Sequence, residues 1–213
     1  TVPSTDDRRQ LSLLAPDDTA VGTPSIAPGA TQVSLPLGGR YEPGRYTLTT
    51  TDGYEQSVDL HPELAIEGFT VGQQALDRLP DSLGHTARTE AVVAVTNTGT
   101  GPTAVATLRL TGDVPNPTES LTAPEATGIY GTVADGKLDG VVVEPRATVE
   151  LVTSSLPFLF AGQSTTCASM PATGSVNIDV TAGAGDTTTT ATVPVQYEPQ
   201  SDEHCRITSG GVD

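Results

Sequence analysis

Apolar and polar positions alternate through most of this chain, in short runs bounded by Gly, Pro, Asn and Asp. Tyr46, Leu48 and Thr50 alternate with Thr47 and Thr49, and Val58 and Leu60 follow after Asp52-Gly53. That is a hairpin over 41–60 with a two-residue turn signal at its tip. Leu11 and Leu13 share one face of a predicted strand, with Leu14 beside them. Further strands are predicted at 63–71, 88–97, 103–112, 129–143 (two of them), 147–160 and 175–183, and a last one before Tyr197. Residues 175–197 form a closing hairpin around Ala184-Gly185-Asp186. Helical spacing occurs only over 72–87, where Leu76, Leu79 and Leu83 recur and Pro80 interrupts, so at most a turn or two of helix is expected.

Turn-bounded strands at a spacing of about 8–12 residues, with almost no helix, predict an all-β, antiparallel, immunoglobulin-like β-sandwich. The strands from 63 to 197 fill it. Residues 17–62 read as a small N-terminal β-unit, either separate or adding strands to the sandwich. Residues 1–16 read as a polar tail or a donor strand, with Leu11, Leu13 and Leu14 as its assembly residues. Residues 198–213 read as a polar tail.

Composition adds the setting. Aromatics are only 4% and Trp is absent, so the core must be built from Val, Leu, Ala and Ile. Asp+Glu is 26 against Lys+Arg 10, a net charge of −16, and Lys137 is the only lysine. Such a surface repels nucleic-acid phosphates and anionic membranes. The apolar runs are too regular for disorder. A folded protein kept in high salt, where the Debye length falls to about 3 Å, fits better, as in extreme halophiles. Met170 is the only methionine, so Thr1 is read as following a removed signal segment or a trim. No apolar run approaches the ~20 residues of a membrane span. The two cysteines, Cys167 and Cys205, are then expected to form an extracytoplasmic disulfide that ties down the C-terminal tail.

The stretch "AVVAVTNTGTGPTAVATLRL" resembles the B–C hairpin of the CARDB family, immunoglobulin-like adhesion-related domains of bacteria and archaea. "VVVEPRATVELV" and "GSVNIDVTAG" resemble its late strands, although Pro145-Arg146 stands where the family commonly has Pro-Gly. The resemblance covers about 85–197. It implies an extracellular β-sandwich of a surface protein, with no catalytic residues to carry over. In the turn, Asn97 is expected to take left-handed geometry and bond the turn backbone, and Gly99 and Gly101 to supply positive φ.

Chemistry is hard to find. His61, His85 and His204 form no H-x-x-x-H or H-x-H pair. Cys167 and Met170 lie close together without the neighbouring His of a blue-copper loop. Asp135 and Asp139 in "DGKLDG" supply too few oxygens for Ca²⁺ and read as a hairpin turn. Glu144 and Glu150 are the kind of pair that 26 acids produce by strand parity alone. No nucleophile, zinc or phosphate-loop motif is present. Asn97, Asn116 and Asn177 lie in no N-x-[ST] sequon, and "TTTTAT" reads as a Thr-rich strand rather than an O-linked sugar site.

The expectation is therefore a non-enzymatic, extracellular structural or adhesive protein of a halophilic archaeon, a subunit of a surface filament or layer. It has no cofactor and no metal, and makes homo-oligomers through edge strands, without nucleic acid or membrane insertion. The alternatives are a halophile-virus spike or capsid protein, and a polymer-binding module of an exported enzyme.

Overall fold

The computed structural model describes residues 9–30, 32–35, 37, 41–117, 129–131, 141–153, 155–160, 165–201 and 204–212. Every pairing is antiparallel, and the strands form three sheets. The N-terminal sheet holds β1 (Arg9–Leu14), β2 (Ala20–Gly22), β3 (Ser25–Ile26), β4 (Gly44–Thr50) and β5 (Glu55–Leu60). Its order is β2-β1-β4-β5, with β3 also on β1. One sandwich sheet has the order β6-β7-β11-β9: β6 (Leu64–Val71), β7 (Ala91–Asn97), β11 (Thr148–Thr153) and β9 (Ile129–Gly131). The facing sheet is β10-β8-β12-β13-β14: β10 (Val141–Val143), β8 (Thr103–Gly112), β12 (Thr173–Ala182), β13 (Thr188–Ser201) and β14 (His204–Ser209). The all-β sandwich expected from the alternation is thus observed.

The core follows the alternation. Val176, Ile178 and Val180 of β12 and Val193, Val195 and Tyr197 of β13 face Val93, Val95 and Leu151 of the other sheet in one buried cluster. β8 changes parity between Val105 and Leu108, where the register against β12 shifts at Thr181/Ala182. β7 is buried on both faces, because Val92 and Val152 are covered by Ala75, Leu79, Ala87 and Leu83. Those four come from the link between β6 and β7, which carries 3-10 turns at Gly72–Gln74 and Asp81–Thr89. The helical spacing over 72–87 is this cover, broken by Gly84 at φ 52.

Four local expectations are corrected. First, 91–112 is not a hairpin: β7 and β8 lie in opposite sheets, and the Asn97–Thr103 turn crosses the sandwich. Pairing is impossible there because each strand already has two other neighbours. Second, the strand over 147–160 stops at Thr153. Leu156 takes φ 54 ahead of Pro157, and Thr153 turns its hydroxyl to Glu90. Third, 198–213 is more than a polar tail tied by a disulfide: β13 runs to Ser201, and His204–Ser209 return against it as β14. Fourth, the β4–β5 turn spans three residues, since Thr50 N donates to the Tyr54 carbonyl (2.9 Å) and only Gly53 has positive φ (85°). The β12–β13 hairpin turns as expected, with Gly185 (φ 77) and Asp186 (φ 48) left-handed.

Candidate functional site

The turn after β7 joins the two units. Asn97 is fully buried, and its amide uses all of its hydrogen-bonding capacity. Nδ2 donates to the carbonyls of Gly101 (2.8 Å) and Val143 (3.0 Å). Oδ1 accepts from the backbone of Gly99 (3.0 Å) and Glu63 (3.2 Å). One side chain thus ties together the turn, β10 and the segment that leads from β5 into β6. Around it the His61 carbonyl accepts from Thr100 N (2.8 Å), and the Thr100 hydroxyl donates to the Asp59 carbonyl (2.7 Å) while accepting from His61 N (3.1 Å).

The expectation for Asn97 is half corrected. It bonds the turn backbone, but as the last residue of β7 and without positive φ. Gly99 and Gly101 have no positive φ either. They are needed for room: a Cβ on Gly99 would fall on the His61 carbonyl, and one on Gly101 on the Tyr41 hydroxyl. That hydroxyl is buried without a hydrogen-bond partner among the described residues, and burial beside Tyr46 pushes its pKa up to about 12. The β12–β13 tip closes the joint from the other side, where a Cβ on Gly185 would approach Pro43 to 3.0 Å.

The cysteine pair forms the expected disulfide. Cys167 and Cys205 are bonded, with their Cα atoms 5.5 Å apart and a sequence separation of 38. The bridge fixes the 3-10 turn Cys167–Ser169 to β14. Leu11 and Leu13 are buried in the chain's own N-terminal sheet, where β1 runs between β2 and β4, and Leu14 is half-buried.

The remaining candidates are not brought together. His61 lies between β5 and β6, His85 is exposed in the Asp81–Thr89 turns, and His204 opens β14. Met170 packs against the sandwich core. Glu150 pairs with Arg78, whereas Glu144 is exposed. Asp135 and Asp139 lie outside the described residues. Among the described residues, no group of three or more His, Cys, Asp and Glu could hold a metal ion, and no helix is long and apolar enough to cross a membrane.

Three arrangements escaped the sequence reading. One is Glu90, only 1% exposed, whose Oε2 accepts from the Thr153 hydroxyl and from Leu156 N (3.3 Å). Burial raises its pKa to about 7, against those two hydrogen bonds, which lower it. With Asn116, which donates to the Ser155 (3.0 Å) and Leu156 (3.1 Å) carbonyls, it holds the strained crossover after β11. A carboxylate just ahead of an apolar run was the available signal. The second is the set of cross-strand bonds of the "TTTTAT" run, whose reading as a Thr-rich strand holds in β13: Thr188, Thr190 and Thr192 bond Thr181, Asp179 and Asn177 on β12.

The third is a seam between β6 and β14, the outer strands on one side of the sandwich. Gln73 donates from Nε2 to the Cys205 carbonyl (2.9 Å) and accepts at Oε1 from Ile207 N (3.1 Å). Those are the two bonds that a residue of a parallel strand would make there. Gln74 Oε1 accepts from Ser209 N (3.1 Å). On β6, the Leu64 carbonyl accepts from the Thr189 hydroxyl (2.9 Å), and the Phe69 carbonyl lies 3.4 Å from the Ser209 hydroxyl. Side chains thus engage five backbone groups along the two strands: the Leu64, Phe69 and Cys205 carbonyls and the Ile207 and Ser209 amides.

Neither a protein-family model, a curated protein nor a solved structure matches the chain.

Proposed function

We propose that this chain is a non-enzymatic, extracellular structural protein of a halophilic archaeon, a building unit of a surface filament or surface layer. The observation that carries the reading is the joint at Asn97. The buried Asn97 amide fixes the turn that carries Thr100 and Gly101, and that turn's contacts with Asp59, His61 and Tyr41 hold the N-terminal sheet to the sandwich, which is what a lattice-forming unit requires. The net charge of −16 with a single lysine supports high salt as its medium, and the Cys167–Cys205 bridge supports an oxidising compartment.

The test is electron microscopy of the protein in molar salt, beside material stripped from cells that express it. Fibres or ordered sheets are the expected outcome. Projections confined to virus particles would move the protein to a virion, and dispersed monomers in both preparations would overturn the reading. Thermal melts provide a second check. Removing salt should lower the midpoint, because self-repulsion is then unscreened, and an unchanged midpoint between molar and about 0.1 M salt would refute the halophilic part.

A further inference from the structure

Glu90 stands where three segments meet. Its backbone carbonyl accepts from Gly72 N (2.7 Å), at the start of the link from β6 to β7. The neighbouring Thr89 carbonyl accepts from Phe158 N (2.9 Å), in the crossover 155–160. Its carboxyl takes the Thr153 hydroxyl at the end of β11 and Leu156 N (3.3 Å) in the same crossover. The packing is close: a Cβ on Gly72 would fall 2.0 Å from the Ala87 carbonyl and 2.7 Å from that of Glu90. A buried carboxylate in such a place needs a counter-charge, and the elements around it bring none among the described residues. β7 and 155–160 carry no charged residue. The link carries Asp77, Arg78, Asp81, His85 and Arg88, all exposed, and Arg78 is taken by Glu150 of β11. Asp113, ahead of Asn116, is itself acidic. Only burial, which opposes the charge, and the two hydrogen bonds, which favour it, bear on the group, and burial prevails.

We infer that Glu90 is a proton-controlled latch: neutral, it holds the crossover 155–160 against the link from β6 to β7, and ionised, it releases the crossover and bares Phe158. The crossover is the part able to move. β7 and β11 each pair on both sides. Residues 155–160 pair with no strand among the described residues, and Leu156 is held at φ 54, a left-handed backbone that is costly for a residue with a Cβ. Letting go relaxes Leu156 and admits water to the carboxylate. The crossover swings out with Asn116, whose amide holds the Ser155 and Leu156 carbonyls. Phe158, 2% exposed and 6.3 Å from the Phe69 ring between centroids, is the apolar surface that opening uncovers. The sign follows from burial, which raises the carboxyl from 4.5 to about 7 in the closed form. The latch is therefore complete below about 4.5 and is lost as pH rises through about 7. It is independent of the surface reading and stands whether or not the chain assembles.

Hydrogen exchange on the whole chain from pH 5 to pH 8 tests this, with rates corrected for the intrinsic effect of pH. In the wild type the Leu156 and Phe158 amides should exchange roughly tenfold or more faster than the interior amides of β12 and β13, as a local opening requires. Their corrected rates should also rise by roughly 30- to 100-fold across that range, the factor that follows from a carboxyl moved from 4.5 to about 7. Glu90→Gln, neutral at every pH, should abolish the rise. Three results overturn the inference: crossover amides that exchange at the β12 rate at every pH, a corrected wild-type rate that stays flat, or a rise that persists in folded Glu90→Gln. Should Glu90→Gln fold poorly, carbon-13 spectra of the wild-type carboxyl decide. The Glu90 titration and the rise in exchange should share one midpoint, and separate midpoints overturn the latch.

Discussion

The sandwich and the N-terminal sheet share one chemistry and differ in how each is closed. The sandwich has two facing sheets, a continuous core from Leu64 to Ile207, a cover over the outer face of β7 and β11, and a seam along β6 and β14. The N-terminal sheet has a single layer. Among the described residues its buried apolar side chains are Leu11, Leu13, Ile26, Tyr46 and Leu60, helped by half-buried Leu35, Leu37, Tyr41, Leu48 and Val58. A single sheet with so small a core is marginal by itself. The difference implies a direction of dependence: the sandwich supports the N-terminal sheet through the joint, and losing the sheet leaves the sandwich standing.

Cutting the joint is the largest expected effect. Asn97→Ala removes the bonds to Glu63 N, Gly99 N and the Gly101 and Val143 carbonyls, two of them buried and two part-buried. At roughly 1–3 kcal/mol for each stranded group, partly relieved by relaxation, the loss should be about 4 kcal/mol. Hydrogen exchange is the measurement. Amides of β4 and β5 should lose protection well before those of β12 and β13, and equal loss in both would mean that no such hierarchy exists.

The disulfide tests the other half of the comparison. Replacing Cys167 and Cys205 with Ser opens a loop whose ends are 38 residues apart, about 3–4 kcal/mol in the chain-entropy model. Because the bridge lies wholly within the sandwich, both units should melt earlier and together. Leu13→Ala does the reverse. Deleting that buried side chain should cost about 2–4 kcal/mol, confined to the N-terminal sheet. Limited proteolysis should then cut within 9–60 while the sandwich midpoint stays where it was. A sandwich that falls with Leu13→Ala would reverse the dependence.

How far the sequence disclosed this organisation depends on the range of the interaction. Strands such as β12 and β13 were readable because alternation is a local signal of a surface buried on one face. The Cys167–Cys205 pair was readable because two cysteines leave one pairing. Asn97 could be read as a turn residue, but its bond to Val143 spans 46 residues and belongs to the crossing of two sheets. The same crossing explains the mistaken hairpin, since two apolar runs and a Gly-rich turn look alike whether the strands pair or part. Gln73 and Gln74 carried no signal at all. Their partners on β14 lie more than 130 residues away, and a Gln at a strand edge looks like any exposed polar residue.

Acid should separate the two units by sign. Glu90 has its folded pKa raised to about 7 by burial. The folded sandwich therefore holds a proton that the unfolded chain has lost, and stability declines as pH rises from about 4.5 to about 7. The full decline is on the order of 3 kcal/mol, reduced by any water that reaches the carboxyl. Asp59 in the N-terminal sheet is shifted the other way, held down by its hydrogen bond from Arg45, so its contribution is present above its unfolded pKa and fades as pH falls through the folded one. Toward acid the sandwich should gain while the N-terminal sheet loses a little. Melts of Glu90→Gln across pH 5 to 8 should lack the sandwich's slope, and a slope that survives would assign it to another group.

The smallest effect sharpens the comparison at the joint itself, where two kinds of backbone demand sit side by side. Arg146, in the turn between β10 and β11, holds φ 63 and donates its N–H to the Asn97 carbonyl (2.7 Å). Left-handed backbone costs a residue with a Cβ roughly 1–2 kcal/mol. Glycine relieves that but gives back about 0.5–1 kcal/mol through the freedom of the unfolded chain. Arg146→Gly should therefore stabilise the sandwich by somewhat under about 1 kcal/mol, a rise of a few degrees at most in a chain of this length. Gly101→Ala should act in the opposite direction for a different reason. Its φ is ordinary, but the added methyl would displace the Tyr41 ring and loosen the N-terminal sheet. Side by side, the glycine variant should raise the sandwich midpoint without changing exchange in β4 and β5, and the alanine variant should speed exchange there without moving the midpoint. If both changes moved both units equally, the two would be one cooperative body, and the dependence of sheet on sandwich would have no thermodynamic content.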